Sequence, residues 1–308
     1  MSELADSWVR SLRAANRAAA TLEAYQSDLA EFAAHYGGDP SDATRADVEN
    51  FIVFCRDRGL ADATVARRFQ SLRQFYRWAE EEGEVDASPM LRMKPPKVAI
   101  RPPDVIDPAD FAKLIEACRG ERVNGERRKT RQNKADWGRG FDFECRRDEA
   151  MLRLLWTTGI RAGEIMGIAV ADIDLNAETF TVTGKGNRLR IVALLPQPAE
   201  AVDRYLRVRR KHEAHNEPWL WLGRRGRLGQ DGLRQMLERR CHDAGIAPIN
   251  PHRFRHTFAH MAKSRGMADD ALMVIAGWQS PQMLQRYGAS AAAERARDAH
   301  RRLFGGGS

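Results

Sequence analysis

The chain has 308 residues, 43% of them hydrophobic and 30% charged, and 50 Lys and Arg against 42 Asp and Glu give it a net charge of +8. That length allows two domains with cores of their own, since ~100–200 residues per domain is usual. There is no apolar run of the ~18 residues that a membrane span needs, the opening MSELADSWVR lacks the apolar core of a signal peptide, and Cys55, Cys118, Cys145 and Cys241 lie too far apart for a metal-ligand motif or a disulfide framework.

The charge is uneven. Residues 1–100 hold 13 basic and 16 acidic side chains, whereas the remainder holds 37 and 26. A basic body of this kind points to a polyanionic partner, nucleic acid above all, although arginine-rich solvated helix faces give the same count.

Residues 1–90 read as helical. Leu22, Tyr25, Leu29 and Phe32 repeat at the spacing of one buried helix face, Thr21 precedes them as a start signal, and Gly37-Gly38-Asp39-Pro40 stops the run. A second helix carries Val48, Phe51, Ile52 and Cys55 and ends at Gly59. A third carries Val65, Phe69, Leu72, Phe75, Tyr76 and Trp78 and ends at Gly83. Its arginines Arg67, Arg68, Arg73 and Arg77 are candidates for a basic face against a nucleic acid. Residues 91–105 (LRMKPPKVAIRPPDV) contain two Pro-Pro pairs and four positive charges, Lys94 and Lys97 among them. Proline cannot continue a helix, so this stretch reads as a stiff interdomain linker able to lie along a phosphate backbone.

Helices resume at Asp107 and continue through a basic insertion spanning 119–143. Its densest part, 119–134, holds seven basic residues against two acids and almost nothing apolar, which reads as a loop. Residues 168–195 change to a strand pattern, with Phe180 and Val182, a Gly184-Lys185-Gly186 turn, then Leu189, Ile191 and Val192 forming a hairpin. After Pro196 the chain reads as helical to its end. The expected fold is therefore mainly α: a helical domain over 1–90, and a mostly helical domain over 106–308 with one small antiparallel sheet.

Three short segments could carry chemistry. Asn250-Pro251-His252-Arg253-Phe254-Arg255-His256 opens a helix, with Asn as cap and Pro in the first turn. His252 and Arg255 then share the turn whose free N–H groups favour an anion. His252, His256 and His260 also recur every four residues as zinc ligands can, but an Arg beside the metal opposes that reading. A second segment, Thr158-Gly159-Ile160-Arg161-Ala162-Gly163-Glu164, ends one helix and starts the next; Glu164 can hold the Arg161 guanidinium, as an ordinary salt bridge also would. In the third, Ser280-Pro281 starts a helix that carries Leu284 and Tyr287, where a tyrosine is ordinarily core with a bonded tip.

Taken together and in order, these segments resemble the tyrosine recombinase (phage integrase) family. TGIRAGEIMGI is similar to its first-arginine box, giving Arg161. The hairpin turn supplies Lys185, PHRFRHTFAH gives His252 and Arg255, and GWQSPQMLQRY gives Trp278 and, nine residues on, Tyr287. TLEAYQSDLAEF and TVARRFQSLRQFYRW look like its core-site-binding domain, a SAM-like helical fold. The resemblance implies site-specific cutting and rejoining of double-stranded DNA through a 3′-phosphotyrosine and a Holliday junction. Tyr287 would be the nucleophile, Arg161 and Arg255 the phosphate clamps, Lys185 the general acid and Trp278 a hydrogen-bond donor, with His252 orienting or deprotonating the tyrosine. No cofactor, metal or ATP is called for.

It further implies a protein of the bacterial cytoplasm, associated with the nucleoid. Free protomers would be monomeric and would form a homotetramer on two synapsed core sites, with residues 290–304 as a docking helix and room for accessory DNA-bending or directionality proteins. The role expected is integrase of a phage or mobile element, and the short stretch ahead of the helical domain leaves no arm-binding domain. An Xer-like resolvase of chromosome or plasmid dimers would share all six catalytic residues. A type IB topoisomerase would relax DNA without a defined site.

Overall fold

The computed structural model describes residues 3–98, 104–119, 134–184, 186–278 and 280–281, and then positions 284, 287, 292, 296, 297, 299–301 and 304; at 20 and over 134–141 it describes the backbone alone. The chain forms two compact units, Met1–Arg101 and Pro102–Ser308. Among the described residues no helix is long and apolar enough to cross a membrane.

The first unit is four helices: α1 (Glu3–Ala14), α2 (Ala19–Tyr36), α3 (Arg45–Asp57) and α4 (Asp62–Glu81). The first was hidden in the sequence inside a general expectation of helix. Its Trp8 is buried, stacked on Tyr25 at 5.6 Å and edge-on to Phe75 at 5.3 Å. Gly37, in the left-handed region at φ 79°, ends α2 by donating its N–H to Ala33 O. Phe32, Phe51, Phe69, Leu72, Phe75 and Tyr76 fill the core, and Met90 and Met93 from the chain beyond α4 pack against it.

One expectation for α4 is corrected. Arg68 does not join a DNA-facing stripe; it is buried, paired with Glu31 and hydrogen-bonded to Cys55 Sγ at 3.2 Å. It stands three residues after Val65 and four before Leu72, on the face those side chains bury. Arg67 is exposed but paired with the buried Asp28, Arg77 is exposed beside Glu81, and Arg73 is half-buried, lying over Phe69 and donating to Met93 O. Lys94 and Lys97 are exposed.

The second unit begins with α5 (Pro108–Cys118), capped by Asp107, and is organised around the 25-residue α6 (Lys134–Thr158). The last part of the 119–143 insertion is thus helical, and residues 120–133 lie outside the described residues. A short α7 (Ala162–Met166) leads to a three-stranded antiparallel sheet of β1 (Ile173–Asp174), β2 (Thr179–Gly184) and β3 (Arg188–Ala193), in the order β1-β2-β3. Phe180 pairs with Val192 and Val182 with Arg190, so Arg190 and Val192 turn inward while Leu189 and Ile191 are exposed. Then come α8 (Pro196–Arg209), β4 (Leu222–Gly223), β5 (Gly226–Arg227), α9 (Gln230–Asp243), α10 (Pro251–Ser264) and α11 (Asp269–Ala276). The β4–β5 hairpin interrupts the helices expected after Pro196; strands of two residues leave no periodicity to read.

Asp148, on α6 and fully buried, ties this unit together. It accepts hydrogen bonds from Arg147 (2.7 Å), Arg239 (2.9 Å) and Arg240 (2.9 Å). Arg240 also donates to Ala117 O at the end of α5, and Arg147 to Leu222 O of β4. Burial pushes the Asp148 carboxyl up, but the three guanidiniums outweigh it and hold it below the usual range. Removing one member leaves the others buried and uncompensated, so Asp148→Ala is expected to lower unfolding free energy by about 3–5 kcal/mol in chemical denaturation. Arg77→Ala, which removes an exposed pair, is expected to change it by less than ~0.5 kcal/mol.

Candidate active site

Arg161 is placed by the way α6 ends. Gly159 takes φ 57°, and a Cβ there would meet Phe258 Cδ1 at 2.7 Å, so the turn needs glycine both for its backbone and for the packing of α10. Two residues on, Arg161 caps α7, its N–H donating to Glu164 Oε2 at 3.1 Å and its Nη1 to Glu164 Oε1 at 2.8 Å. Its Nη2 donates to Gly277 O at 3.0 Å.

Glu164 serves a second arginine. Arg190, inward on β3, gives Nη2 to Glu164 Oε2 at 2.7 Å and Nε to Ile275 O at 3.1 Å. Burial raises the Glu164 carboxyl, yet the bonds from Arg190 and Arg161 prevail and hold it below its ordinary value. Arg190 went unnoticed in the sequence, where it is one arginine among many. Strand alternation is the signal that finds it, because it falls on the same face as the core residue Val192.

Arg255 lies on α10, one turn into a helix capped by Asn250 Oδ1, which accepts from Arg253 N at 3.0 Å. It is buried and donates to Gly159 O (2.9 Å) and Ala276 O (2.7 Å). Burial, and after it the positive charge of Arg161, push its pKa down to about 10, which leaves it charged at neutral pH. His252, exposed in the first turn, lines a cleft of about 530 Å³ with Arg161, Arg255, Asn250, Gln230 and Arg234. Two guanidiniums facing one solvent cleft suit a bound anion, and a phosphate matches their fork geometry.

Tyr287 is buried between two aromatic neighbours. Its ring stacks on Trp278 at 5.4 Å and 12°, and its hydroxyl meets Nδ1 of His256 in a hydrogen bond. The motif reading gave this place to His252, whose ring packs edge-on against His256 at 4.3 Å and 75°. Arg255 lies over the Trp278 ring at 5.0 Å, so guanidinium, indole and phenol form one stack. The Trp278 Nε1–H is buried, with no acceptor in reach among the described residues. Of the six side chains expected at the site, the structure thus brings Arg161, Arg255, His252, Trp278 and Tyr287 together. Lys185 lies outside the described residues. Among the described residues there is no group of three or more His, Cys, Asp or Glu that could hold a metal.

Residues 142–294 match the sequence profile of the phage integrase family, and residues 5–83 match that of the phage integrase N-terminal SAM-like domain. Among curated relatives, tyrosine recombinase XerC of Chlorobaculum tepidum is 30% identical over 269 residues, 80% of this chain and 78% of its own. Tyrosine recombinase XerD of Listeria monocytogenes is 27% identical over 249 residues, 78% of this chain and 77% of its own. In fold, the chain is similar to XerH recombinase in a post-cleavage complex with difH substrate (TM-score 0.71, 16% identity, covering 92% and 80% of the two chains). It is also similar to a lambda integrase(75-356) dimer bound to a COC′ core site (TM-score 0.68, 15% identity, 92% and 94%). The chain belongs to the phage integrase family. As an enzyme it is a site-specific tyrosine recombinase.

Glu164→Gln would leave Arg161 and Arg190 without their shared counter-charge, at an expected cost of about 3 kcal/mol at pH 7. Because the folded carboxyl is depressed, its stabilisation is present above the unfolded value of about 4.3 and is lost as pH falls through the folded value. Thermal or denaturant unfolding of both proteins is therefore expected to show a gap at pH 7 that closes on acidification. A gap unchanged with pH would contradict the charge-based account.

Proposed function

We propose that this chain recombines double-stranded DNA at specific core sites through a covalent 3′-phosphotyrosine at Tyr287 and a Holliday junction. The observation that carries the reading is the stack of Arg255, Trp278 and Tyr287 beside a cleft walled by both arginines. Arg161 and Arg255 hold the non-bridging oxygens of the scissile phosphate and offset the charge that develops there. Trp278, which can only donate, gives its indole N–H to a phosphate oxygen. That no other acceptor reaches it among the described residues supports that role. His252, at the mouth of the cleft, orients the phosphate beside Arg255.

Tyr287 attacks phosphorus, and Lys185 protonates the departing 5′-oxygen. The phosphotyrosine conserves the energy of the broken bond, so the strand is rejoined by a 5′-hydroxyl without ATP. Residues 1–90 form the core-site-binding domain and 106–308 the catalytic domain, joined by the linker 91–105. Arg67, Arg73, Arg77, Lys94 and Lys97 supply backbone contacts to DNA, whereas Arg68 is committed to the helical core. The free protomer is a monomer that assembles as a tetramer on two sites, with residues 290–304 docking on a neighbour. The role is integration of a phage or mobile element, in concert with accessory DNA-bending or directionality proteins. Resolution of chromosome or plasmid dimers is the second reading, favoured by the likeness to XerC and XerD along most of the chain.

A nicked suicide substrate carrying a core half-site is expected to trap wild-type protein on DNA, whereas Tyr287→Phe binds the same DNA and forms no adduct. An adduct with Tyr287→Phe would overturn the assignment. Lys185→Ala is expected to cleave ordinary DNA at least ~10²-fold more slowly. It should recover most of that loss on a 5′-bridging phosphorothiolate, whose thiolate leaves without a proton. Equal defects on both substrates would remove lysine from the acid role.

A further inference from the structure

Tyr287 attacks phosphorus through its hydroxyl oxygen, so the hydroxyl proton must leave as the new bond forms. The group that takes it has to stand within hydrogen-bond reach of the hydroxyl. His256 stands there. It follows Arg255 directly on α10, is buried to 9% exposure, and meets the Tyr287 hydroxyl through Nδ1, with the ring centroids 5.6 Å apart. The phenol ring stacks on Trp278, and the His252 ring packs against the His256 ring. His256 is thereby fixed from two sides, on the same rigid helix turn that aims Arg255.

We propose that His256 is a catalytic residue of this recombinase, the general base for Tyr287 in cleavage and its general acid in rejoining. The inference rests on the function proposed above and adds a residue outside the six that the motifs single out. To accept at Nδ1 the imidazole is neutral and carries its hydrogen on Nε2. In cleavage the Tyr287 Oη–P bond forms, the P–O5′ bond breaks, the phenolic proton passes to His256 Nδ1, and the 5′-oxygen takes a proton from Lys185. In rejoining the 5′-hydroxyl attacks phosphorus and returns its proton to the lysine. The phenolate oxygen then leaves and recovers its proton from His256. The two histidines divide the work by position: His252, exposed in the cleft, faces the phosphate, and His256, one turn deeper, faces the nucleophile.

The test compares His256→Ala and His256→Asn with wild type in single-turnover cleavage of the nicked suicide substrate, with DNA binding measured alongside. Asn can hydrogen-bond the hydroxyl but cannot take up a proton. Both variants are expected to bind DNA as wild type does and to cleave at least ~10²-fold more slowly. The same substitutions are then placed in a Tyr287→Phe background. There, a 5′-hydroxyl strand is joined to DNA ending in a 3′-p-nitrophenyl phosphate, a reaction that needs the arginines and the lysine but no tyrosine proton. Joining by the double variants is expected within about threefold of Tyr287→Phe alone. Joining that falls in parallel with cleavage would show that His256 serves the phosphate pocket or the fold, and would overturn the proposal. Cleavage by His256→Asn near the wild-type rate would overturn it too, leaving only a positioning contact. Failure of wild type to form an adduct would instead count against the function proposed above.

Discussion

Two like-charged guanidiniums, those of Arg161 and Arg255, line one cleft, and the second unit is arranged around holding them there. Arg255 is buried, with one bond from Nη1 to Gly159 O and one from Nη2 to Ala276 O, and Arg161 is tied to Gly277 O and Glu164. Burial and the neighbouring Arg161 disfavour charge on Arg255, yet a pKa of about 10 keeps it cationic. Glu164 is the compensating anion, shared with Arg190. The carbonyl acceptors lie at two helix ends turned by residues in the left-handed region, Gly159 and Gly277. A Cβ at Gly277 would stand 3.0 Å from Arg190 Nη1. Donors fixed in this way need no reorganisation when charge develops on a phosphate, which is how preorganised sites lower a barrier.

Tyr287 depends on the same scaffold. Trp278 follows Gly277 directly, so the turn that offers a carbonyl to Arg161 also sets the indole between Arg255 and Tyr287. His256 follows Arg255 directly, so one helix turn presents that guanidinium on one side and the hydrogen-bond partner of Tyr287 on the other. The buried Asp148 cluster, farther along α6, anchors that helix to α5, α9 and β4 and so supports the position of its Gly159 end.

Much of this was legible in the sequence, because helical periodicity and glycine stops are local signals. The Phe32, Phe51 and Phe69 helices, the β2–β3 hairpin, the return of helix at Asp107 and the cap at Asn250 all follow from residue spacing. The ordered boxes also brought Arg161, His252, Arg255, Trp278 and Tyr287 to one place. What escaped has physical reasons. Arg68 was read by its charge, while its position three residues after Val65 made it a core-facing residue neutralised by Glu31. Arg190 and Glu164 meet across 26 residues, a pairing that only the tertiary fold creates. His256 was read as a step in a histidine ladder, and its partner lies 31 residues away on another helix.

The most direct measurement of the central claim removes the charge that the two arginines are held to offset. On a suicide substrate with an ordinary scissile phosphate, Arg255→Ala is expected to cleave at least ~10²-fold more slowly than wild type. On the same DNA with a neutral methylphosphonate at the scissile position, the deficit is expected to shrink to within about tenfold, since far less negative charge then builds up. A deficit of the same size on both substrates would contradict the account, because Arg255 would then be needed for something other than the charge of the phosphate.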